Sequence, residues 1–120
     1  MIDTGVSADL DVFSRYVIDT VGPESVSDAH GTMMMSVILG VTDEAIALPS
    51  EGLEVLSINV GTSPPAASIA DAIDGAVDAG AELISISMGV RRGSVALETA
   101  VQQMSESLIL PALPQPTAGP

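Results

Sequence analysis

The sequence predicts an α/β domain, a parallel β-sheet flanked by helices, and three observations carry that prediction. Short runs of β-formers alternate with helical segments along the chain, giving strand, helix, strand, helix, strand, the order of right-handed crossover units. The helical segment at residues 68–79 is two-faced, with Ile69, Ala70, Ile73, Ala76 and Val77 at helical spacing and Asp71, Asp74 and Asp78 on the other side. The chain is also long enough, at 120 residues with 47% hydrophobic content, to bury one core, which must be aliphatic because it has one Phe, one Tyr and no Trp.

Taken in order, residues 1–6 (MIDTGV) read as the clipped end of a strand entering a glycine turn. Residues 15–19 read as a short edge strand. After the Gly22-Pro23 break, His30 to Leu39 is apolar and Met-rich and reads as a buried helix. Residues 53–60 (LEVLSINV) alternate as a strand does. The helix at 68–79 ends where Gly80 supplies a C-terminal cap, and residues 82–88 (ELISISM) form the next strand. Ser94 caps a helix over residues 95–105, with Glu98 near its positive N-terminal end. Leu108 to Leu110 begins a last strand. Residues 1–110 are read as the domain, and residues 111–120, which include Pro111, Pro114, Pro116 and Pro120, as a proline-rich tail without regular structure.

Sixteen acids oppose three basic residues, for a formal net charge of -13. Nucleic acid and anionic membranes need a cationic footprint, so neither is an expected partner. The absence of cysteine excludes disulfides and thiolate metal sites and leaves the redox compartment open. No stretch has the length of a membrane span, and no charged start followed by an apolar run marks a signal peptide, which slightly favours the cytoplasm. Residues 41–52 contain Asp43, Glu44 and Glu51 without a dense oxygen-ligand pattern, so no metal or other cofactor is expected.

In parallel sheets, ligand chemistry sits at the C-terminal ends of strands. Asp3 and the Ser87-Met88-Gly89 turn both fall at such ends. Asp3 in Ile2-Asp3-Thr4-Gly5-Val6, taken alone, reads as an Asx turn beside a glycine. His30, the only histidine, taken alone reads as a surface or capping residue before a helix. The series is more specific than its parts. Ile-Asp-Thr-Gly-Val, then His30-Gly31-Thr32 opening a small apolar helix, then a strand ending Ile86-Ser87-Met88-Gly89, resembles the subtilisin-like serine peptidases from Ile2 to about Leu110.

That resemblance implies a partial three-layer subtilisin-like fold. It also implies that Asp3 orients His30, that His30 acts as general base and then general acid, and that Ser87, Met88 and Gly89 line a peptide substrate that adds as a strand. Gly31 would permit close backbone approach, Thr32 would satisfy donors at the helix start, and Met33, Met34 and Met35 would fill the core. Gly61-Thr62-Ser63 would border substrate subsites.

The family's nucleophile lies in a Gly-Thr-Ser-Met-Ala segment far downstream of the histidine. Ser63 comes only 33 positions after His30, and two prolines stand directly behind it. The stretch IADAIDGAVDAGAELISISMG, downstream of Ser63, fits the segment directly after the histidine in family order, so Ser63 is rejected as nucleophile. The oxyanion Asn of the family has no counterpart after Leu108-Ile109-Leu110, and Gln115 stands in the proline-rich tail. The expectation is thus a subtilisin-type endopeptidase in truncated or split form, with a peptide or protein substrate and a complementing part that carries the serine, and inactive alone. A non-catalytic peptide-binding or partner-docking module is the alternative. An unrelated acidic α/β domain would instead hold Asp3 and His30 apart.

Overall fold

A computed structural model describes residues 1–26, 28–88, 95–103 and 108–111. Five strands form one fully parallel sheet: β1 (Ile2–Asp3), β2 (Val17–Val21), β3 (Glu54–Asn59), β4 (Leu83–Ile86) and β5 (Leu108–Pro111). Their spatial order is β2-β3-β1-β4-β5. Three helices join them: α1 (His30–Leu39), α2 (Ala66–Asp78) and α3 (Val95–Gln103), with a 3₁₀ turn at Asp11–Phe13. The α/β class and the edge position of β2 are as the sequence predicts.

The two-residue strand β1 is the centre of the sheet, and both of its residues are fully buried. Ile2 pairs with Ile58 on one side and Ile86 on the other, while Asp3 pairs with Asn59. Because side chains alternate across a sheet, this register sorts the residues into two layers. Ile2, Leu56, Ile58, Ile84 and Ile86 pack beneath α2 and α3, against Ile69, Ile73, Ala76, Leu97 and Ala100. Met1, Ile18 and Val55 face the other way, beneath α1, with Phe13, Tyr16, Met35 and Leu39. Asp3 falls on that second face.

The structure corrects several boundaries. The edge strand begins at Val17, not residue 15, because Tyr16 is held in the core, where its hydroxyl donates to the Leu48 carbonyl. Helix α2 begins at Ala66. Pro65 occupies its N-cap with φ -66°, and its carbonyl accepts from Ser68 N–H at 3.0 Å, so the missing proline N–H costs nothing there. Within α2, Ala72 joins the buried face, while Val77 lies at its margin with 37% exposure. Gly80 follows the last turn, as expected.

Helix α1 matches its predicted span but is buried on one face only. Gly31, Met35 and Leu39 recur every four residues and point inward, whereas Met33 is 61% exposed and Val37 70%. On β4, Leu83 lies opposite to buried Ile84 and is 50% exposed. Strand β5 extends through Pro111, one residue into the segment read as tail. Ser94, Gly89 and residues 112–120 lie outside the described residues, and with them the predicted helix cap and the rest of the tail. Among the described residues, no helix is long and apolar enough to cross a membrane.

Candidate active site

Asp3 and His30, 27 positions apart in sequence, meet at the C-terminal end of the sheet. Asp3 Oδ1 lies 2.7 Å from His30 Nδ1. Asp3 Oδ1 also accepts the Thr4 backbone N–H at 2.7 Å, and Asp3 has no exposed surface. A carboxylate accepts, so Nδ1–H is the donor in this contact, and in the neutral ring that leaves the lone pair on Nε2. The His30 side chain is 45% exposed, and Asp3 is the ring's only hydrogen-bond partner among the described residues. The hydrogen bond that His30 Nδ1–H donates to Asp3 raises the His30 pKa above its ordinary value. Partial burial opposes this, while the charges of Asp3 and Asp28 add to the rise.

Local sequence explains why the two side chains converge. The turn after β1 is laced to the first turn of α1. Gly31 N–H donates to Thr4 Oγ1 at 2.9 Å, and Ser7 N–H donates to Thr32 Oγ1 at 3.0 Å. Thr32 therefore caps the incoming loop, not the helix's own donors as expected. Asp28 accepts the His30 N–H at 3.0 Å. The Thr4 hydroxyl bonds to the Asp28 carboxylate, and this bond, with the His30 N–H and the His30 charge, holds Asp28 below its usual pKa. The predicted role of Gly31 is met in full: a Cβ there would lie 2.2 Å from the Gly5 carbonyl oxygen. Gly5 in turn has φ +100°, and a Cβ on it would meet Asn59 Nδ2 at 2.7 Å.

Ser87 and Met88 follow β4 and are half-buried. Ile86 pairs with Ile2, so Ser87 and Asp3 each stand one residue further along neighbouring strands. Gly89, the third residue of that predicted segment, lies outside the described residues. Ser63 is exposed in the turn between β3 and α2, and no hydrogen bond joins it to His30.

Thr4, Asp28 and Asn59 also belong to the site; Thr4 stood inside the quoted motif without a role of its own, and Asp28 and Asn59 were not singled out. Asn59 did leave a signal. It is a polar residue on an inward position at the C-terminal end of a predicted strand, where sheets of this class place chemistry.

The fold and this geometry can be set beside known proteins. The prenylagaramide maturation protease PagA superposes with a TM-score of 0.73 and 24% identity over 92% of this chain. The self-cleaved protease domain of PatA gives 0.71 and 21%, and the patellamide maturation protease PatA 0.69 and 23%, again over 92% of this chain. The chain has a subtilisin-like α/β fold. It spans 43–46% of the length of these three structures. No protein-family model matches the chain, and no curated protein matches it.

Proposed function

We propose that the chain is the Asp–His half of a subtilisin-type serine endopeptidase, its nucleophile supplied by a part outside these 120 residues. The observation that carries the reading is the 2.7 Å hydrogen bond from His30 Nδ1 to buried Asp3, with Nε2 left free in a fold shared with maturation proteases. In this reading His30 Nε2 takes the proton of a serine hydroxyl as it attacks a peptide carbonyl. The same proton then passes to the leaving amine. Asp3 keeps the ring in the Nδ1–H tautomer and stabilises the imidazolium between those steps. Ser87, Met88 and Gly89 present backbone to an extended peptide substrate.

Without a nucleophilic serine set against His30 there is no acyl-enzyme, and loss of an oxyanion donor alone removes about 2.7–4 kcal/mol of transition-state stabilisation. The chain alone is therefore inactive. A fluorophosphonate probe tests this. The isolated chain is expected to remain unlabelled, and the chain combined with a segment carrying a Gly-Thr-Ser-Met-Ala stretch is expected to label on that serine, with loss of labelling in His30→Ala. Stoichiometric labelling of Ser63 in the isolated chain would overturn the placement of the nucleophile. Labelling that survives His30→Ala would overturn the role of the histidine.

A docking module without catalysis is a second reading, favoured by the apolar exposure of Met33 and Val37 on one face of α1. Light scattering separates them in part: a clean monomer at high concentration counts against docking through this surface.

A further inference from the structure

The side chain of Asn59 ties the segment that leaves β2 to the segment that leaves β3, just beyond the point where the two strands stop pairing. Its Nδ2 donates to the Pro23 carbonyl at 2.9 Å and to the Ser25 carbonyl at 3.2 Å, and its Oδ1 accepts the Gly61 N–H at 2.9 Å. The amide orientation is fixed by its partners, since two carbonyls can only accept and an N–H can only donate. Asn59 is 8% exposed and pairs in register with Asp3. Its amide also lies against Gly5, where a Cβ would stand 2.7 Å from Nδ2. Its own carbonyl approaches Gly22 so closely that a Cβ there would be 2.6 Å away.

These contacts span the two supports of the catalytic pair. Asp3 is fixed by β1 and the Gly5 turn. His30 is fixed by the segment that leaves β2 through Gly22, Pro23 and Ser25, then reaches Asp28 and the start of α1. Near its far end, Asp28 accepts the His30 N–H, and the first turn of α1 is tied to the turn after β1 by Gly31 N–H to Thr4 Oγ1 and Ser7 N–H to Thr32 Oγ1. A buried amide with every donor used is a rigid strut, and small misplacements at reacting groups are costly.

We infer that Asn59 is a positioning residue for the Asp3–His30 pair, fixing the backbone at Gly22, Pro23 and Ser25 through which the chain leaves β2 on its way to His30. The inference rests on reading that pair as the orienting carboxylate and general base. Its test needs no turnover, so it can fail while the peptidase reading stands.

The test is nuclear magnetic resonance of the folded chain. Asp3 and Asp28 are the charged groups that face the His30 ring, and the Met1 ammonium acts on Asp3. In Asn59→Ala, the His30 pKa is expected to fall from its raised value toward the ordinary one. Amide exchange of His30 and Gly31 is expected to quicken about tenfold, as loss of hydrogen bonds at a buried anchor implies. Asn59→Asp keeps the size and the acceptor to Gly61 but lacks both donors, and should show the same exchange effect without cavity formation. Ile73→Val, which trims the core under α2, should leave both His30 readouts unchanged. Unchanged His30 titration and exchange in folded Asn59→Ala would overturn the inference. Equal changes in Ile73→Val, or loss of the cooperative fold in both Asn59 variants, would make Asn59 a general stability residue and overturn it too.

Discussion

Replacing Asp3 by asparagine preserves the side chain's shape and removes its charge, which isolates the electrostatic part of the Asp3–His30 contact. When His30 is protonated, its Nδ1–H donates to Oδ1 across 2.7 Å. A hydrogen bond involving a charged group contributes about 1.5–3 kcal/mol and a neutral one about 0.5–1.5 kcal/mol. The His30 side chain is 45% exposed, so solvent screens the charge and brings the expected loss to about 1 kcal/mol. Asparagine also places an amide nitrogen or oxygen where Asp3 Oδ2 lies buried without a partner. That exchange of one unpartnered atom for another is independent of pH.

The sign of the pH dependence comes from His30. Its folded-state pKa is raised above 6.5, chiefly by the Asp3 hydrogen bond. A raised pKa means that the stabilisation is complete below the unfolded-state value and is lost as pH rises through the folded-state value. The stability difference between the natural chain and Asp3→Asn should therefore be larger at about pH 5.5 than at about pH 9, by about 1 kcal/mol. Urea unfolding followed by far-ultraviolet circular dichroism across that range measures it. The Met1 ammonium, whose pKa is lowered by burial, also feels Asp3. Repeating the comparison in a His30→Ala background removes the imidazole and leaves the ammonium. A difference that does not vary with pH, or that persists unchanged in the His30→Ala background, would refute the reasoning.

Other outcomes are expected from the same geometry. Gly31→Ala places a methyl 2.2 Å from the Gly5 carbonyl, so the Thr4 turn and α1 must part; a loss of about 3 kcal/mol or more is expected in urea unfolding, at or above the upper end for overpacking. Ile73→Ala removes a side chain with no exposed surface from the layer under α2 and should cost about 2–5 kcal/mol, without altering the His30 titration. Met33→Lys and Val37→Lys alter the exposed face of α1, so stability should change by about 0.5 kcal/mol or less. If that face docks a partner or a second copy, light scattering should show self-association reduced in the double variant.

Much of the sheet was legible because burial in an α/β layer imposes periodicity on sequence. The two-faced pattern of α2 and the His30–Leu39 span of α1 could be read directly. The alternation in β3 places Leu56 and Ile58 under one layer and Val55 under the other. Boundaries shifted where a tertiary anchor outweighed local pattern. Tyr16 looks like a strand residue but is drawn into the core, and α2 starts two residues early because Pro65 can end a loop without a donor to lose.

Asp3 and His30 were named from sequence because the motif series specifies residue types and their order along the chain. Their 2.7 Å contact was not contained in that order. It requires β1 to sit between β3 and β4, and it requires α1 to approach so closely that only hydrogen suffices at Gly31 Cα. Thr4, Asp28 and Asn59 entered the site for the same reason: their partners lie 24 to 36 positions away or on the far side of a turn. Residue types and hydropathy pattern were enough to say which groups can do acid–base chemistry and on which kind of sheet. Which of those groups meet was settled in three dimensions, because hydrogen bonds between strand ends and helix starts depend on register and crossover, which leave little local trace.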